Sequence, residues 1–201
     1  MKLKLFTLAP FSFHLLLLLA QQATATLNDT NVQVCQLVTA ITSLNTQLHQ
    51  PEVGTSLLGA LHVSNAALAL VRSLKGTTTY LVNNGQLTIE ETTLVLNSMT
   101  RALPTVRSAC TAVVDLKPQF EVSIPALASF GGTTASFLLL RALQAMHIDG
   151  IARSDVLQLQ TAVKAFTQGI VDTVVAANVT DAMRSQVLYD TVLAHAASAY
   201  A

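Results

Sequence analysis

Apolar residues recur along most of this chain at alternating steps of three and four positions. This spacing places them on one face of an amphipathic helix that packs in a bundle. Thr88 and Glu91 precede the most regular run in the spacing of a capping box, which satisfies backbone donors at a helix start. That run comprises Leu96, Met99, Leu103, Val106, Cys110 and Val113. No segment alternates like a strand, so the sequence predicts an all-α protein, a single bundle of five to six amphipathic helices.

Capping and turn residues set the predicted limits of the first three helices. The first helix begins after Asp29 to Asn31 and ends before Pro51. The second reaches Gly76 and continues weakly towards the turn signal Asn83-Asn84-Gly85. The third contains Pro104, which is expected to kink it. The apolar face of the second helix comprises Leu57, Leu61, Leu68 and Val71, with Ser64 on the same face.

A long uncharged stretch follows the third helix, from Val122 to Leu140. A second membrane span is one interpretation of it. Its serines, threonines and Gly131-Gly132 instead favour a fourth helix that is buried on several sides. This helix reaches about Met146, so His147 lies at a helix end, where histidines often meet free carbonyl groups.

Two more helices are predicted in the last third of the chain. The fifth opens at Ser154, and a turn near Asn178 to Thr180 separates it from the sixth. The apolar residues of the fifth are Val156, Leu159, Val163, Phe166, Ile170 and Val174, and those of the sixth are Met183, Val187, Leu188, Val192 and Ala196.

The first residues predict a secreted protein. Two lysines precede the unbroken apolar run Leu15 to Ala20, and Ala23-Thr24-Ala25 then offers small residues at a cleavage site. This three-part order is typical of a secretory signal peptide. The run is shorter than the roughly 20 residues of a spanning helix. We therefore expect a signal peptide at 1–25, a mature helical domain at 26–201 and no transmembrane anchor.

The charge balance excludes several classes of partner. The chain has 11 basic and 11 acidic residues, and the predicted cleavage removes two of the basic ones. A slightly acidic chain does not attract nucleic acid or anionic lipid head groups. Charged residues make up only 11% of the sequence, against about 25% in average domains. Such a surface is weakly protected by charge repulsion and adheres readily to other material.

Motifs for catalysis or metal binding are not found. The mature histidines have no catalytic context, and the sequence has no H-E-x-x-H or paired C-x-x-C motif. Glu90-Glu91 lies in a first helical turn, where carboxylates favour the helix dipole. We predict no catalytic residue, no metal and no cofactor, and thus a protein that is not an enzyme. The histidines are His49, His62, His147 and His195.

Two cysteines and two sequons bear on covalent chemistry. An oxidising compartment favours a disulfide between Cys35 and Cys110. A simple up-and-down bundle would instead separate them by roughly 20 Å along parallel helices, beyond the ~7 Å that a disulfide spans between Cα atoms. The disulfide is the expectation, with two free thiols as the alternative. Asn28 and Asn178 begin sequons and are predicted N-glycosylation sites.

Three segments carry a family resemblance. They are Val32 to Val38 in the first helix, Lys117-Pro118-Gln119-Phe120 at a junction between helices, and Val192 to Tyr200 at the end. Together with the signal peptide and the charge-poor helices, they resemble the fungal hydrophobic surface-binding protein A and cell-wall galactomannoprotein family. The resemblance implies adsorption to hydrophobic surfaces and, in some members, a fatty acid held between the helices. Members often carry a Ser/Thr-rich wall-anchoring tail that this sequence lacks, so we expect secretion with at most a non-covalent wall association.

The residues and the resemblance together predict a binding site for a fatty acid or another apolar ligand. The fourth helix is too apolar for one packed face, Gly131-Gly132 leaves volume unfilled, and Met99 adapts to irregular shapes. A carboxylate head would sit at the mouth, in water or on hydroxyl groups. The predicted lining residues are Leu61, Ser64, Leu68, Met99, Leu103, Phe130, Thr134, Phe137 and Phe166.

Other interpretations remain beside this one. The phenylalanines on apolar faces are often packing residues rather than ligand contacts. The alternative functions are a structural cell-wall or matrix glycoprotein, and a secreted effector or inhibitor that binds another protein.

Overall fold

The computed structural model describes residues 9–53, 57–128 and 148–200, with side chains for 26–53, 59–118 and 152–200. The described chain is helical, which confirms the predicted all-α bundle. Its elements are α1 (Ala9–Leu48), α2 (Leu57–Asn84), α3 (Ile89–Ala128), α4 (Ile148–Thr173), a 3₁₀ helix (Ala176–Asn178) and α5 (Val179–Ala199).

Hydrogen bonds between helices establish the direction in which each helix runs. Thr30 meets Glu91 near one end of the bundle, and His49 meets Ser108 near the other. The residue numbers on α1 and α3 therefore increase together, so these helices are parallel. Tyr189 bonds to the Met99 carbonyl and Tyr200 to the Val113 carbonyl, which makes α5 parallel to α3 as well.

The other two helices run in the opposite direction. Tyr80, late in α2, contacts Thr30, early in the bundle portion of α1. Gly169 of α4 lies against Thr78 of α2, and Asp155 bonds to Ser64, so α2 and α4 are parallel to each other. The five described helices thus alternate up and down in sequence order.

The packing order differs from the sequence order. The main contacts run from α1 to α2, then to α4, α5 and α3, and from α3 back to α1. The described helices therefore form a closed ring around one apolar interior. Burial of these apolar faces is what stabilises such helices, since none of them would be stable alone.

Several predicted boundaries are wrong. α1 does not begin at Asp29 to Asn31 but passes through them from Ala9, because the leucine-rich run before them is itself strongly helix-forming. α3 continues through Pro104 and through Lys117-Pro118 to Ala128. The predicted junction at that motif is thus inside a helix, since a proline removes only one internal hydrogen bond, and packing along α3 offsets that loss. The kink at Pro104 stays a prediction.

The later boundaries are closer to the prediction. α2 does continue to Asn84, and Gly85 then adopts a positive φ of 75° in the predicted turn. α4 begins at Ile148 rather than at Ser154. The residues directly after His147, which were expected to follow the end of the fourth predicted helix, are therefore the first residues of α4. The fourth helix was predicted from Val122 to about Met146. Its first part, residues 122–128, belongs to α3, and the rest lies outside the described residues, as does His147.

A buried polar cluster closes one end of the ring. The Thr88 amide donates to Glu91 Oε2 at 2.9 Å, and the Glu91 amide donates to Thr88 Oγ1 at 3.2 Å, which confirms the capping box. Glu91 is 4% exposed and also accepts a 3.0 Å bond from the Thr30 hydroxyl. The Tyr80 hydroxyl lies 3.1 Å from Thr30 Oγ1 and donates to the Thr26 carbonyl at 3.2 Å. The cluster therefore joins α1, α2 and α3.

None of the helices in the described ranges combines the length and the apolarity of a transmembrane span.

Candidate functional site

A central cavity of about 80 Å³ lies where the five described helices face one another. Nearly all of its wall is aliphatic or aromatic, because each helix turns its buried face inward. α1 and α3 supply the largest parts of the wall. The residues from these two helices are Val34, Leu37, Val38, Ile41, Leu44, Leu48, Val95, Ser98, Met99, Ala102, Val106, Ala109, Cys110 and Val113. Those from the other three are Leu70, Leu74, Val156, Leu159, Val163, Phe166, Tyr189, Leu193 and Ala196.

A second cavity of about 60 Å³ continues the first towards the end opposite Glu91. The two cavities share wall residues on α1, α3 and α4 and are therefore adjacent; together they are called the channel below. The shared residues are Leu44, Leu48, Val113, Val156 and Leu159. The remaining wall of the second cavity comprises Ala60, Leu61, Val63, Ser64, Ala67, Leu116, Ala152, Asp155 and Tyr200.

The channel is long but has little free volume. Its wall on α3 runs from Val95 to Leu116, which is roughly 30 Å at the helical rise per residue. The hydrocarbon core of a bilayer, two acyl chains thick, is also about 30 Å. The free volume is smaller than that of an apolar cavity of about 150 Å³ that binds benzene. A long acyl chain thus fits the axis of the channel, and the helices must separate to admit its full width.

The polar groups on the central wall are already satisfied or uncharged. The Tyr189 hydroxyl donates a 2.8 Å bond to the Met99 carbonyl, and burial raises the pKa of Tyr189. Burial also raises the pKa of the Cys110 thiol to about 11. Both groups therefore stay neutral at physiological pH, and the central part of the channel carries no charge on its described wall.

The second cavity has one ionisable carboxyl group in its wall. Asp155 is half-buried and forms a side-chain hydrogen bond with Ser64 of α2. Burial raises the pKa of Asp155, and the bond from Ser64 only partly opposes this effect. Tyr200 lies in the same wall with its hydroxyl bonded to the Val113 carbonyl at 2.9 Å. Asp155 and Ser64 thus form the polar end of an otherwise apolar channel.

Lys117 is a cation that contacts a wall residue of the second cavity, Tyr200. Its Nζ lies 5.7 Å from the centre of the Tyr200 ring and donates to the Ala199 carbonyl. Tyr200, rather than Lys117, lines the cavity.

The structure places the sequence-predicted site residues in three groups. Met99 and Phe166 line the central cavity, while Leu61 and Ser64 line the second one. Leu68 and Leu103 are half-buried and line neither cavity. The remaining three, Phe130, Thr134 and Phe137, lie outside the described residues.

The misplacement of Leu103 has a physical cause. Most of the large apolar residues in the regular sequence pattern of α3 are only half-buried, although Met99, Val106, Cys110 and Val113 do line the central cavity. Ala102 and Ala109 each stand one position before a member of this pattern, and both are buried and line the same cavity. Alanines facing the centre of a five-helix ring leave free volume, which is why this face borders the cavity. The same rotation on α2 buries Ala67 and Leu70 in preference to Leu68.

Other functional candidates were missed because no pattern marked them. Asp155 stands one helical turn before Leu159 of the apolar face. This spacing was the one feature of the sequence that could have placed the Asp155 carboxyl group beside the site. The face assigned to the sixth predicted helix was wrong in part, since Ala196 is buried in the channel wall as predicted. Met183, Val187 and Leu188 are exposed, whereas Tyr189 and Leu193 are buried in the channel wall.

The predicted disulfide is wrong, because both thiols are free. Cys35 is on the exposed side of α1, and Cys110 faces the central cavity. The parallel alignment of α1 and α3 places Cys35 level with about residue 95 of α3, roughly 20 Å from Cys110 along the axis. This separation exceeds the ~7 Å limit for bridged Cα atoms, so the alternative of two free thiols holds.

The two predicted glycosylation sites differ in their exposure. Asn28 is exposed on α1, while Asn178 is half-buried at the end of the 3₁₀ helix.

Within the described ranges, no three His, Cys, Asp or Glu side chains gather in a way that could hold a metal ion.

Comparison with known proteins gives structural matches only. No protein-family model and no curated protein matches the sequence. The crystal structure of AfMP4p in complex with palmitic acid matches 87% of this chain and 99% of its own, with a TM-score of 0.70 at 17% identity. The likeness shows the fold.

Two domains of one fungal protein share this fold. Ligand-binding domain 1 of the Penicillium marneffei MP1 protein, complexed with arachidonic acids, has a TM-score of 0.65 at 9% identity and covers 88% of this chain and 99% of its own. Ligand-binding domain 2, complexed with multiple arachidonic acids, has a TM-score of 0.66 at 10% identity, and the match covers 89% of this chain and 96% of that domain.

Proposed function

We propose that this protein is a secreted, non-enzymatic lipid-binding protein that holds a long-chain fatty acid or a similar lipid between its helices. The observation that carries the proposal is the apolar channel at the centre of the helical ring, to which all five described helices contribute. Solved proteins of the same fold hold palmitic or arachidonic acid, which supports this ligand class. The proposal also places the chain near the hydrophobic surface-binding and galactomannoprotein family that its sequence resembles.

Burial of the acyl chain would supply the binding free energy. Each methylene group moved from water into the channel contributes about 0.8 kcal/mol. Part of this free energy is used to separate the helices, because the free volume of the channel is small. The contacts to be loosened are mainly non-directional apolar ones, and Ala102, Ala109 and Ala196 present the smallest side chains to the ligand.

Titration with saturated fatty acids of increasing length tests this proposal. Lauric, myristic, palmitic and stearic acids should bind with affinities that rise about fourfold per methylene until the channel is filled. Native mass spectrometry of the secreted protein should also show one retained lipid. If none of these acids binds at micromolar concentration to the folded protein, the channel does not serve this function.

Adsorption to hydrophobic surfaces is a second candidate. On α5, Met183 is 51% exposed and Val187 is 62% exposed, one turn apart, with Leu188 beside them. Such neighbouring apolar side chains on a charge-poor chain favour contact with apolar material. Coating of hydrophobic beads by a folded protein that binds no fatty acid would favour this function. A variant with Met183→Ser and Val187→Ser should then lose the coating.

Secretion and glycosylation complete the proposal. Thr26 and Thr30 are tied to α2 and α3, which supports a mature domain that includes these residues after cleavage at Ala25. Asn28 is exposed and accessible for glycosylation. Occupied glycans on a protein that neither binds lipid nor coats beads would instead favour a structural wall glycoprotein.

A further inference from the structure

We propose that the Asp155 end of the channel binds the head of the lipid, and that this head donates hydrogen bonds and carries no negative charge. Long-chain alcohols and long-chain amines share this chemistry. The inference rests on the proposed lipid-binding function and specifies which lipids the channel prefers.

The position of Asp155 is the first argument. The second cavity is apolar apart from Asp155, Ser64 and Tyr200, and the Tyr200 hydroxyl already donates to a backbone carbonyl. Asp155 and Ser64 therefore offer the polar contacts available to a ligand at this end. The second cavity adjoins the central one along the shared wall residues, so an acyl chain that occupies both cavities would bring its end to Asp155.

The hydrogen-bonding capacity of the pair is the second argument. An ionised carboxyl group has about four acceptor sites and no donor. The Ser64 hydroxyl is the partner that the structure gives to Asp155, and it uses one of these sites. A hydroxyl or ammonium head would donate to the others. Hydrogen bonds to charged groups are the stronger ones, worth about 1.5–3 kcal/mol.

The charges near the channel are the third argument. A fatty-acid carboxylate beside Asp155 would place two like charges in a partly desolvated site, which is unfavourable for both. At the opposite end the buried carboxyl group is Glu91, which is already bonded within its own cluster. Neither end of the described channel therefore has a cation in its wall to receive an anionic head.

Cations around Asp155 do not change this balance. Arg153 on α4 is exposed to solvent, where its charge is screened, and the His62 side chain on α2 is exposed as well. Lys117 packs on Tyr200 and donates to the Ala199 carbonyl. None of the three lines the second cavity. Asp155 thus dominates the electrostatic character of this end.

The test compares three ligands of equal chain length, namely hexadecanol, hexadecylamine and palmitate, by competition for the full mature protein at neutral pH. We expect the alcohol and the amine to bind about tenfold more tightly than palmitate. In D155N, hexadecylamine should lose about tenfold in affinity, and palmitate should approach the affinity of the alcohol.

D172N is the matched control, because Asp172 is an exposed carboxylate on the same helix and its substitution changes the net charge equally. It should leave the order of the three ligands unchanged. A second variant, S64A, should keep the preference for the amine, since the carboxylate remains.

The outcomes separate this inference from the function on which it rests. If none of the three ligands binds to the folded wild-type protein, both are wrong. If palmitate binds at least as tightly as the alcohol and the amine, lipid binding stands and the assignment of the head group is wrong. The same holds if D155N and D172N have equal effects. If D155N does not fold, the relative affinities of the three ligands for the wild-type protein still test the assignment of the head group.

Discussion

Thr30 on α1 donates a hydrogen bond of 3.0 Å to Oε1 of Glu91 on α3. The carboxylate that closes the capping box of α3 is thereby shared with a second helix, and Tyr80 extends the contact to a third. Burial by itself would raise the pKa of Glu91. The bonds from the Thr88 amide and hydroxyl, from Thr30 and from Thr26 outweigh this effect and hold the pKa below its ordinary value.

The substitution Glu91→Gln should therefore destabilise the protein in a pH-dependent way. A lowered pKa in the folded state means that ionised Glu91 contributes stability above its unfolded pKa of about 4.3, and that this contribution is lost as the pH falls through the folded pKa. We expect E91Q to cost about 1–2 kcal/mol at neutral pH and progressively less below about pH 4. Urea unfolding at several pH values measures this difference.

Glu90→Gln is the control, because Glu90 is an exposed carboxylate in the same helical turn. It should change stability by no more than about 0.5 kcal/mol. An equal loss for E90Q and E91Q would show that the helix dipole, rather than the shared carboxylate, accounts for the effect.

Both thiols should be free in the secreted protein. Mass spectrometry under non-reducing, denaturing conditions should detect two alkylatable cysteines. In the native protein Cys35 should react quickly, because it is exposed. Cys110 should react much more slowly, since its pKa of about 11 leaves little thiolate at pH 8 and the channel wall restricts access. A monomeric protein with no alkylatable cysteine, and thus an intramolecular disulfide, would contradict the parallel alignment of α1 and α3.

Two glycines of α2 should respond oppositely to substitution by alanine. A Cβ on Gly59 would lie 2.5 Å from the Glu52 carbonyl oxygen and 2.9 Å from the Val53 Cα. These are backbone atoms that cannot turn away, so G59A should lose about 1–3 kcal/mol. Gly76 has no atom within 4 Å of that position, so G76A should gain about 0.5–1 kcal/mol from helix propensity. Thermal unfolding of both variants checks the signs, and a stable G59A would contradict the close approach.

Filling the channel should weaken lipid binding without unfolding the bundle. Ala102 on α3 is buried and faces the central cavity, so Ala102→Leu places a larger side chain where the acyl chain would lie. We expect at least a tenfold loss of palmitate affinity, as measured by isothermal titration calorimetry. The matched control is Ala165→Leu, on the exposed side of α4. If both variants bind palmitate like the wild-type protein, the lipid does not occupy the central cavity.

Secretion should produce a mature chain that starts at Thr26. The small residues of Ala23-Thr24-Ala25 favour cleavage there, and Thr26 is the position where Tyr80 bonds to α1. Sequencing the N-terminus of the secreted protein gives a direct answer. A start at Met1, in a membrane fraction, would rule out cleavage of the signal peptide.

The helical pattern was predictable where a single helix face decides burial. The apolar residues of α1 from Val34 to Leu48, and those from Val156 to Val174 in and directly after α4, are largely buried as predicted. The capping box at Thr88 and Glu91 and the turn at Gly85 were also correct. Each of these depends on residues within a few positions of one another, and such local interactions are visible in the sequence.

What only the tertiary structure decided is how far α2, α3 and α5 are rotated about their axes, and which residues meet across the ring. A regular run of large apolar residues does not reveal that Ala102 faces the centre while Leu103 lies at the flank. The pairing of Thr30 with Glu91, and of Ser64 with Asp155, joins residues far apart in sequence. These pairings follow from the packing order α1–α2–α4–α5–α3, which depends on how five apolar faces close around one interior rather than on any one helix.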